Sequence, residues 1–316
     1  MKKNNYGLGS RCMKKSGKFA LKNEAINGHI GLLSVDTLSH RWNYFIDSVA
    51  ASDSGIKRLE DINFEAVQEY GRELALMVSE HDLSIASAHN YISAINSVMK
   101  MATRGIWVSV SPTVDCGIEK RSYIRKLIPA SLARELFDPC LVYICNTLGE
   151  RASVIVQLCR ELGLRSKEAS LLNAKDAVSE LAMNNHITIS HGTKGGRPRT
   201  IPIVSENQKV ALARAVMIQG KDKSLIPSQL SWKEWREGGL RKIRDAVQIH
   251  LGASGLHDLR AGYACERYKS LTGLDSPLLG GPRPDKKIDQ KARLQIAKEL
   301  GHGRVQISNA YIGGQK

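Results

Sequence analysis

Gly255-Leu256-His257-Asp258-Leu259-Arg260-Ala261-Gly262-Tyr263 is the stretch on which the reading of this chain turns. His257 and Arg260 stand three positions apart, so a helix starting here carries both on one face. A histidine and an arginine at that spacing occur by chance in many proteins. Four other stretches share its character. Upstream, Gly163-Leu164-Arg165-Ser166-Lys167-Glu168-Ala169-Ser170-Leu171-Leu172 makes a tight turn that sets Arg165 at a helix start. Gly192-Thr193-Lys194-Gly195-Gly196-Arg197 is a glycine-rich hairpin tip, where glycines are ordinary turn chemistry and Lys194 is by default a solvated lysine. Downstream come Leu300-Gly301-His302-Gly303 and then Asn309-Ala310-Tyr311-Ile312, with Tyr311 nine positions after His302. Taken singly, each has a plain structural explanation: a surface charge, a turn or a packed ring.

Composition narrows the classes. The chain has 316 residues and 46 Lys+Arg against 31 Asp+Glu, a formal net charge of +15. Its length suggests roughly two domains of about 100–200 residues. A hydrophobic fraction of 42 % excludes a collagen-like or wholly disordered chain. Apolar runs such as Val154–Val156 are core-sized, far below the roughly 18 residues of a membrane span. The N-terminus is basic without an apolar stretch, unlike a secretory signal. Cysteines at 12, 116, 140, 145, 159 and 265 include no C-x-x-C pair and read as buried free thiols in a reducing cytoplasm. No metal site is expected. The excess charge adds self-repulsion and nothing to the fold, so it implies a polyanionic partner, nucleic acid ahead of an acidic membrane surface.

Along the chain, residues 1–33 are basic and rich in Gly, Ser and Asn, which predicts an arm able to lie along phosphates. Residues 34–115 predict a compact helical domain. Leu38, Trp42, Phe45, Ile46 and Val49 recur at helical spacing, Asn63 caps a second helix, and Ile85, Ala88, Ile92, Ile95 and Met99 stripe a third. Residues 116–129 lose periodicity and read as a linker whose Lys120, Arg121, Arg125 and Lys126 track a backbone. The remainder, 130–316, predicts helices over 131–136, 141–148 and 152–162, then a polar stretch. A β-hairpin follows from the alternating runs 186–190 and 200–204. Helices over 210–217, 232–251, 256–271 and 291–300 complete it. The fold class is mainly α with a small β-hairpin.

In order, Arg165, Lys194, His257, Arg260, His302 and Tyr311 resemble the catalytic signature of the tyrosine recombinases, the phage-integrase family. The resemblance covers about residues 130–311. Its most specific elements are Leu-His-Asp-Leu-Arg at 256–260 and the nine-residue step from His302 to Tyr311. It implies a two-domain architecture, a helical core-binding domain followed by a mixed α/β catalytic domain, clamped around duplex DNA. It implies strand cleavage and rejoining through a covalent 3′-phosphotyrosyl intermediate, with no metal or nucleotide cofactor.

The residue types suit that chemistry. A phosphodiester repels nucleophiles, and two guanidiniums, Arg165 and Arg260, can each donate fork-like hydrogen bonds to its non-bridging oxygens. Tyr311 is the expected nucleophile and needs a proton acceptor, for which His257 is the candidate. Lys194 is the candidate general acid for the departing 5′-oxygen, and His302 would bond the scissile phosphate. Glu168 matches the family's acidic position in a supporting role. Arg197 and Arg199 are expected DNA contacts beside Lys194. Tyr263 and Tyr268 are expected to pack.

Two features depart from the family pattern. Arg260 and His302 are 42 positions apart, longer than usual. The extra part holds Pro277, Gly280, Gly281, Pro282 and Pro284, which reads as an inserted loop with Arg283, Lys286 and Lys287 reaching DNA. Five residues follow Tyr311, so another element is expected to replace the segment that many members dock on a neighbouring protomer. The partners so implied are a double-stranded recombination site, a homotetramer on two such sites and accessory DNA-bending or directionality factors, in the cytoplasm and away from any membrane. The alternatives are a catalytically silent DNA-binding regulator on the same scaffold and a type IB topoisomerase-like relaxing enzyme.

Overall fold

The computed structural model describes residues 4–52 and 54–314. It divides into two compact units, Met1–Ser122 and Tyr123–Lys316. The first is built on α1 (Met13–Ile26), α2 (Leu32–Ala51), α3 (Phe64–Ser79) and α4 (Ile85–Ala102). Local chemistry sets the helix starts: the Asn63 side chain accepts from the Ala66 amide and Ser84 from Ser87. The apolar stripes then meet in a core of Trp42, Phe45, Val67, Ile92, Ile95 and Met99.

The expected basic arm is largely a folded helix. Lys14, Lys15, Lys18 and Lys22 recur at helical spacing along α1, while Ala20 and Leu21 are buried. A Cβ on Gly17 would sit 2.2 Å from the Trp42 indole nitrogen, so only glycine lets α1 lie this close to α2. Trp42 Nε1 also donates to the Met13 carbonyl at 3.1 Å. Lys2 and Lys3 lie outside the described residues. The expected linker is divided as well. Cys116 and Ile118 are buried in the first unit's core, and the boundary falls between Ser122 and Tyr123.

The second unit contains α5 (Arg134–Leu148), α6 (Glu150–Glu161), α7 (Ser166–Ser170) and α8 (Ala174–Asn184), then β1 (His186–Ile189) and β2 (Arg199–Pro202). After these come α9 (Glu206–Gln219), α10 (Trp232–Glu237), α11 (Gly239–Leu251), α12 (Leu259–Thr272), α13 (Lys286–Glu299) and α14 (Asn309–Ile312). The central helix is α6, buried at every residue from Ala152 to Glu161. Pro139 lies inside α5 without ending it, because Phe137, Cys140 and Ile144 bury on both sides and outweigh one lost backbone bond. The polar stretch after Leu172 is the helix α8. The single helix expected over 232–251 breaks at Gly238, whose ψ of −94° leaves the helical region, and the Trp235 ring packs where a Cβ of Gly239 would lie.

The hairpin is antiparallel, pairing Ile187 with Ile201 and Ile189 with Arg199. Ile187, Ile189 and Ile201 face inward, and the strand period of two turns Arg199 inward with Ile201. Of the cysteines, Cys116, Cys140, Cys159 and Cys265 are buried thiols, while Cys12 is exposed and Cys145 intermediate. No helix among the described residues is long and apolar enough to cross a membrane.

Candidate active site

The site forms where the starts of α7 and α12, strand β2, the turn after α13 and the single-turn helix α14 converge. Its centre is Glu168, fully buried. Its carboxylate accepts from Arg165 Nη1 and Arg199 Nη1 at 2.6 Å on one oxygen, and from Arg199 Nη2 at 2.7 Å and the Arg165 amide at 2.6 Å on the other. Arg260 Nη1 stands 3.6 Å from the same carboxylate. Burial alone would raise the Glu168 pKa, but the Arg199 hydrogen bonds and the flanking guanidiniums hold it down at about 2. Three cations around one anion leave this cradle with a net charge of +2, suited to a phosphodiester.

Backbone carbonyls aim the two outer arginines. Arg260, fully buried, donates to the Gly163 carbonyl and, at 2.8 Å, to the Leu300 carbonyl. Arg165 Nη2 reaches the same Leu300 oxygen at 3.2 Å, so one carbonyl brackets both guanidiniums. The glycines of the motifs have physical causes here. Gly163 has φ +59°, and a Cβ there would lie 2.7 Å from the Tyr263 ring. Gly301 has φ +70°, and a Cβ would press to 3.0 Å from Arg199. Arg260 Nε is buried without a hydrogen-bond partner among the described residues.

Tyr311 sits on α14, its ring buried and 5.8 Å from the Arg260 guanidinium carbon. Its hydroxyl lies between two imidazoles, 3.0 Å from His302 Nε2 and 3.3 Å from His257 Nε2. One hydroxyl proton cannot satisfy two acceptors, so one imidazole offers its Nε2 lone pair while the other donates Nε2–H to the phenol oxygen. His257 is exposed and His302 half-buried. Both are pushed down to about 4, first by desolvation from the atoms packed around each ring and then by the charges of Arg260 and Arg165. Both are therefore neutral near pH 7, and one can take the phenolic proton.

The remaining expected residues are placed as follows. Lys194 is exposed at the hairpin tip and makes no hydrogen bond or ion pair to any described residue. Arg197, Lys120 and Lys126 are exposed, and Arg121 is half-buried. Arg199, expected as a DNA contact, is buried with its Nη groups on Glu168 and its Nε on the Glu299 carbonyl at 2.6 Å. It is a structural pillar because the strand period turns it inward. Arg125 is likewise committed: its guanidinium pairs with Asp258, and its amide donates to the Asn309 carbonyl at 2.9 Å. Tyr263 and Tyr268 are packed, their hydroxyls donating to Glu299 and Asp289 at 2.7 and 2.6 Å.

The insert is also a buttress in part. Leu278 and Leu279 pack against the core, and the Leu278 amide lies where a Cβ on Gly313, just past α14, would come within 2.9 Å. Lys286 and Lys287 open α13 behind the Asp285 cap. Sequence reasoning missed the acceptor carbonyls of Gly163 and Leu300. It also missed Arg199 as a pillar, although its parity with Ile201 carries the signal.

The Integrase family profile matches residues 132–266, which take in Arg165, Glu168, Lys194, Arg199, His257 and Arg260. His302 and Tyr311 lie beyond it. Among solved structures, the XerH site-specific recombinase bound to a palindromic difH substrate, a post-cleavage complex, matches with TM-score 0.58 and 17 % identity over 96 % of this chain and 82 % of its own. The Tn1549 transposon integrase in complex with transposon right end DNA matches with TM-score 0.57 and 14 % identity, covering 95 % of each chain. A lambda integrase dimer bound to a COC′ core site matches with TM-score 0.58 and 16 % identity over 94 % of this chain and 76 % of its own. These are tyrosine recombinases, and this chain resembles them in fold over both units. No curated protein sequence matches it.

Proposed function

We propose that the protein is a site-specific DNA recombinase that cleaves and rejoins strands through Tyr311. The observation that carries this is the Tyr311 hydroxyl held between His302 and His257 beside the Arg260 guanidinium. Tyr311 Oη attacks the scissile phosphorus, forming the Oη–P bond as the P–O5′ bond breaks. The phenolic proton passes to whichever imidazole presents its lone pair. Arg165 and Arg260 stabilise charge on the non-bridging oxygens, and the unpartnered Arg260 Nε is a donor ready for one of them. Lys194, on its exposed tip, delivers a proton to the 5′-oxygen. No step calls for a metal or nucleotide. The reverse reaction, with a 5′-hydroxyl from another strand, rejoins the backbone.

The first unit then serves as the core-binding domain, and Lys120, Lys126 and Arg197 bind phosphates of the recombination site. A homotetramer on two sites, aided by accessory DNA-bending or directionality factors, completes the reaction in the cytoplasm. A nicked suicide duplex carrying a site selected by the protein from a random library tests this. Wild-type protein is expected to give a covalent adduct on a denaturing gel, and Tyr311→Phe none. Duplex binding without an adduct assigns the protein as a silent regulator. Relaxation of any supercoiled plasmid regardless of sequence assigns it as a topoisomerase.

A further inference from the structure

Tyr311 rides on four residues, and a single helical turn has no independent stability, so neighbours must fix its place. One side chain spans the whole turn. Arg293, on α13 and only 1 % exposed, donates from Nη1 to the Asn309 side-chain oxygen at 2.8 Å and to the Gly313 carbonyl at 3.1 Å. Asn309 is the first residue of α14, and Gly313 follows its last. The opposite edge of the guanidinium is locked: Arg293 Nε donates to both Asp289 oxygens, at 2.9 and 3.0 Å. Asp289 in turn accepts the Tyr268 hydroxyl at 2.6 Å, and Tyr268 is on α12, the helix that presents Arg260.

We propose that Arg293 is a positioning residue, a latch that holds both ends of α14 so that the Tyr311 hydroxyl stays beside the cradle of its own chain. The relay runs from α12 through Tyr268, Asp289 and Arg293 to Asn309 and Gly313. It ties the nucleophile's turn to the helix of the arginine that would meet the same phosphate. Arg293 touches none of the reacting groups. It acts by registering one element on another. The catalytic part of this role rests on the recombinase function proposed above, whereas the latch itself does not.

Hydrogen exchange of the free full-length protein tests the latch without any DNA. In Arg293→Met, amides of 305–313 are expected to exchange at least tenfold faster, with those of 259–272 within twofold of wild type. Arg293→Lys, which keeps one donor, is expected to fall between. Unchanged exchange over 305–313 overturns the latch. If Arg293→Met loosens the whole unit, Asn309→Ala decides, since it removes one tether only: a rise confined to 305–313 supports the latch and no rise overturns it. Adduct formation on the suicide duplex tests the consequence. Arg293→Met is expected to lose about a hundredfold in cleavage rate at saturating duplex, with binding within threefold and partial recovery in Arg293→Lys. Faster exchange with an unchanged cleavage rate overturns the positioning role. No adduct from wild type, with the exchange result intact, removes the recombinase function and leaves the latch standing.

Discussion

Around Glu168, three guanidiniums from two helix starts and a strand close on one carboxylate. Around Tyr311, one turn of helix is tethered at its two ends, and its hydroxyl rests on two imidazoles. The cradle is overdetermined: displacing any member leaves buried charge uncompensated, so its geometry belongs to the fold itself. The turn is too short to hold itself, so its place rests on Arg293 at its ends, on the Arg125 amide at the Asn309 carbonyl and on the burial of Tyr311 and Ile312. The strand transfer proposed for this protein would gain from that division. In that reaction the guanidiniums proposed to stabilise the transition state would stay fixed, while the proposed nucleophile would sit on the shorter element.

The largest effect that separates the two is expected from Tyr311→Phe. The ring keeps its packing and loses only the hydroxyl, so stability should change by no more than about 1 kcal/mol. Covalent adduct should vanish altogether. A melting scan beside the denaturing gel checks both halves, and a large loss of stability would place Tyr311 among the structural groups.

Lys194→Ala probes a third environment, the exposed tip that neither region supports. Loss of a general acid typically costs about 10²–10⁴-fold in rate, with no change in stability expected for a solvated side chain. A duplex with sulfur in place of the bridging 5′-oxygen should restore most of the loss, since a thiolate departs without a proton. Equal defects on the two duplexes would remove Lys194 from the leaving-group step.

Glu168→Gln strikes the cradle. The carboxamide keeps the shape but turns a donor towards guanidiniums that need acceptors, and breaking a buried ion cluster costs about 3–5 kcal/mol. Urea unfolding should show that loss. A variant as stable as wild type would mean that the cradle is held by packing and the Leu300 and Gly163 carbonyls alone.

The same contrast explains what was legible in the sequence. The stripes of α2 and α4, the Asn63 start of α3 and the alternating hairpin are written in residue type, and Arg165, His257, Arg260, His302 and Tyr311 stand out because they follow in order the family signature they resemble. Backbone acceptors leave no such mark, so nothing at Gly163 or Leu300 announced that their carbonyls aim Arg260. Asp289 and Arg293 look like any surface pair one helical turn apart until the fold buries them. The helix α8 was hidden because its buried residues are the small Ala174 and Ala177, while Lys175, Asp176, Ser179 and Glu180 give the run a polar look. The α1 lysines suggested an arm because a narrow apolar stripe, Gly17 and Leu21 among it, is easily outvoted by charge.

Acid titration gives the smallest effect and resolves both regions in one experiment. His257 and His302 ordinarily titrate near 6.5 and are held at about 4 in the folded protein. Between those values the unfolded chain binds protons that the native state refuses, so stability falls as pH drops from 6.5 towards 4. Glu168 is depressed from 4.5 to about 2, so its share is complete above 4.5 and is lost as pH drops from there towards 2. The upper limb therefore reports the tyrosine side and the lower limb the cradle. His257 contributes less than His302 because solvent screens its exposed ring. Replacing both histidines with glutamine should flatten the upper limb and leave the lower, whereas Glu168→Gln should do the reverse. Cleavage measured as kcat/KM should follow the upper limb alone, level from pH 8 to about 5.5 and falling near 4 as the imidazoles protonate and cease to accept the phenolic proton. A fall centred near 6.5 would mean that neither burial nor the cradle's charge holds the two rings neutral, and the turn and the cradle would then titrate as independent parts.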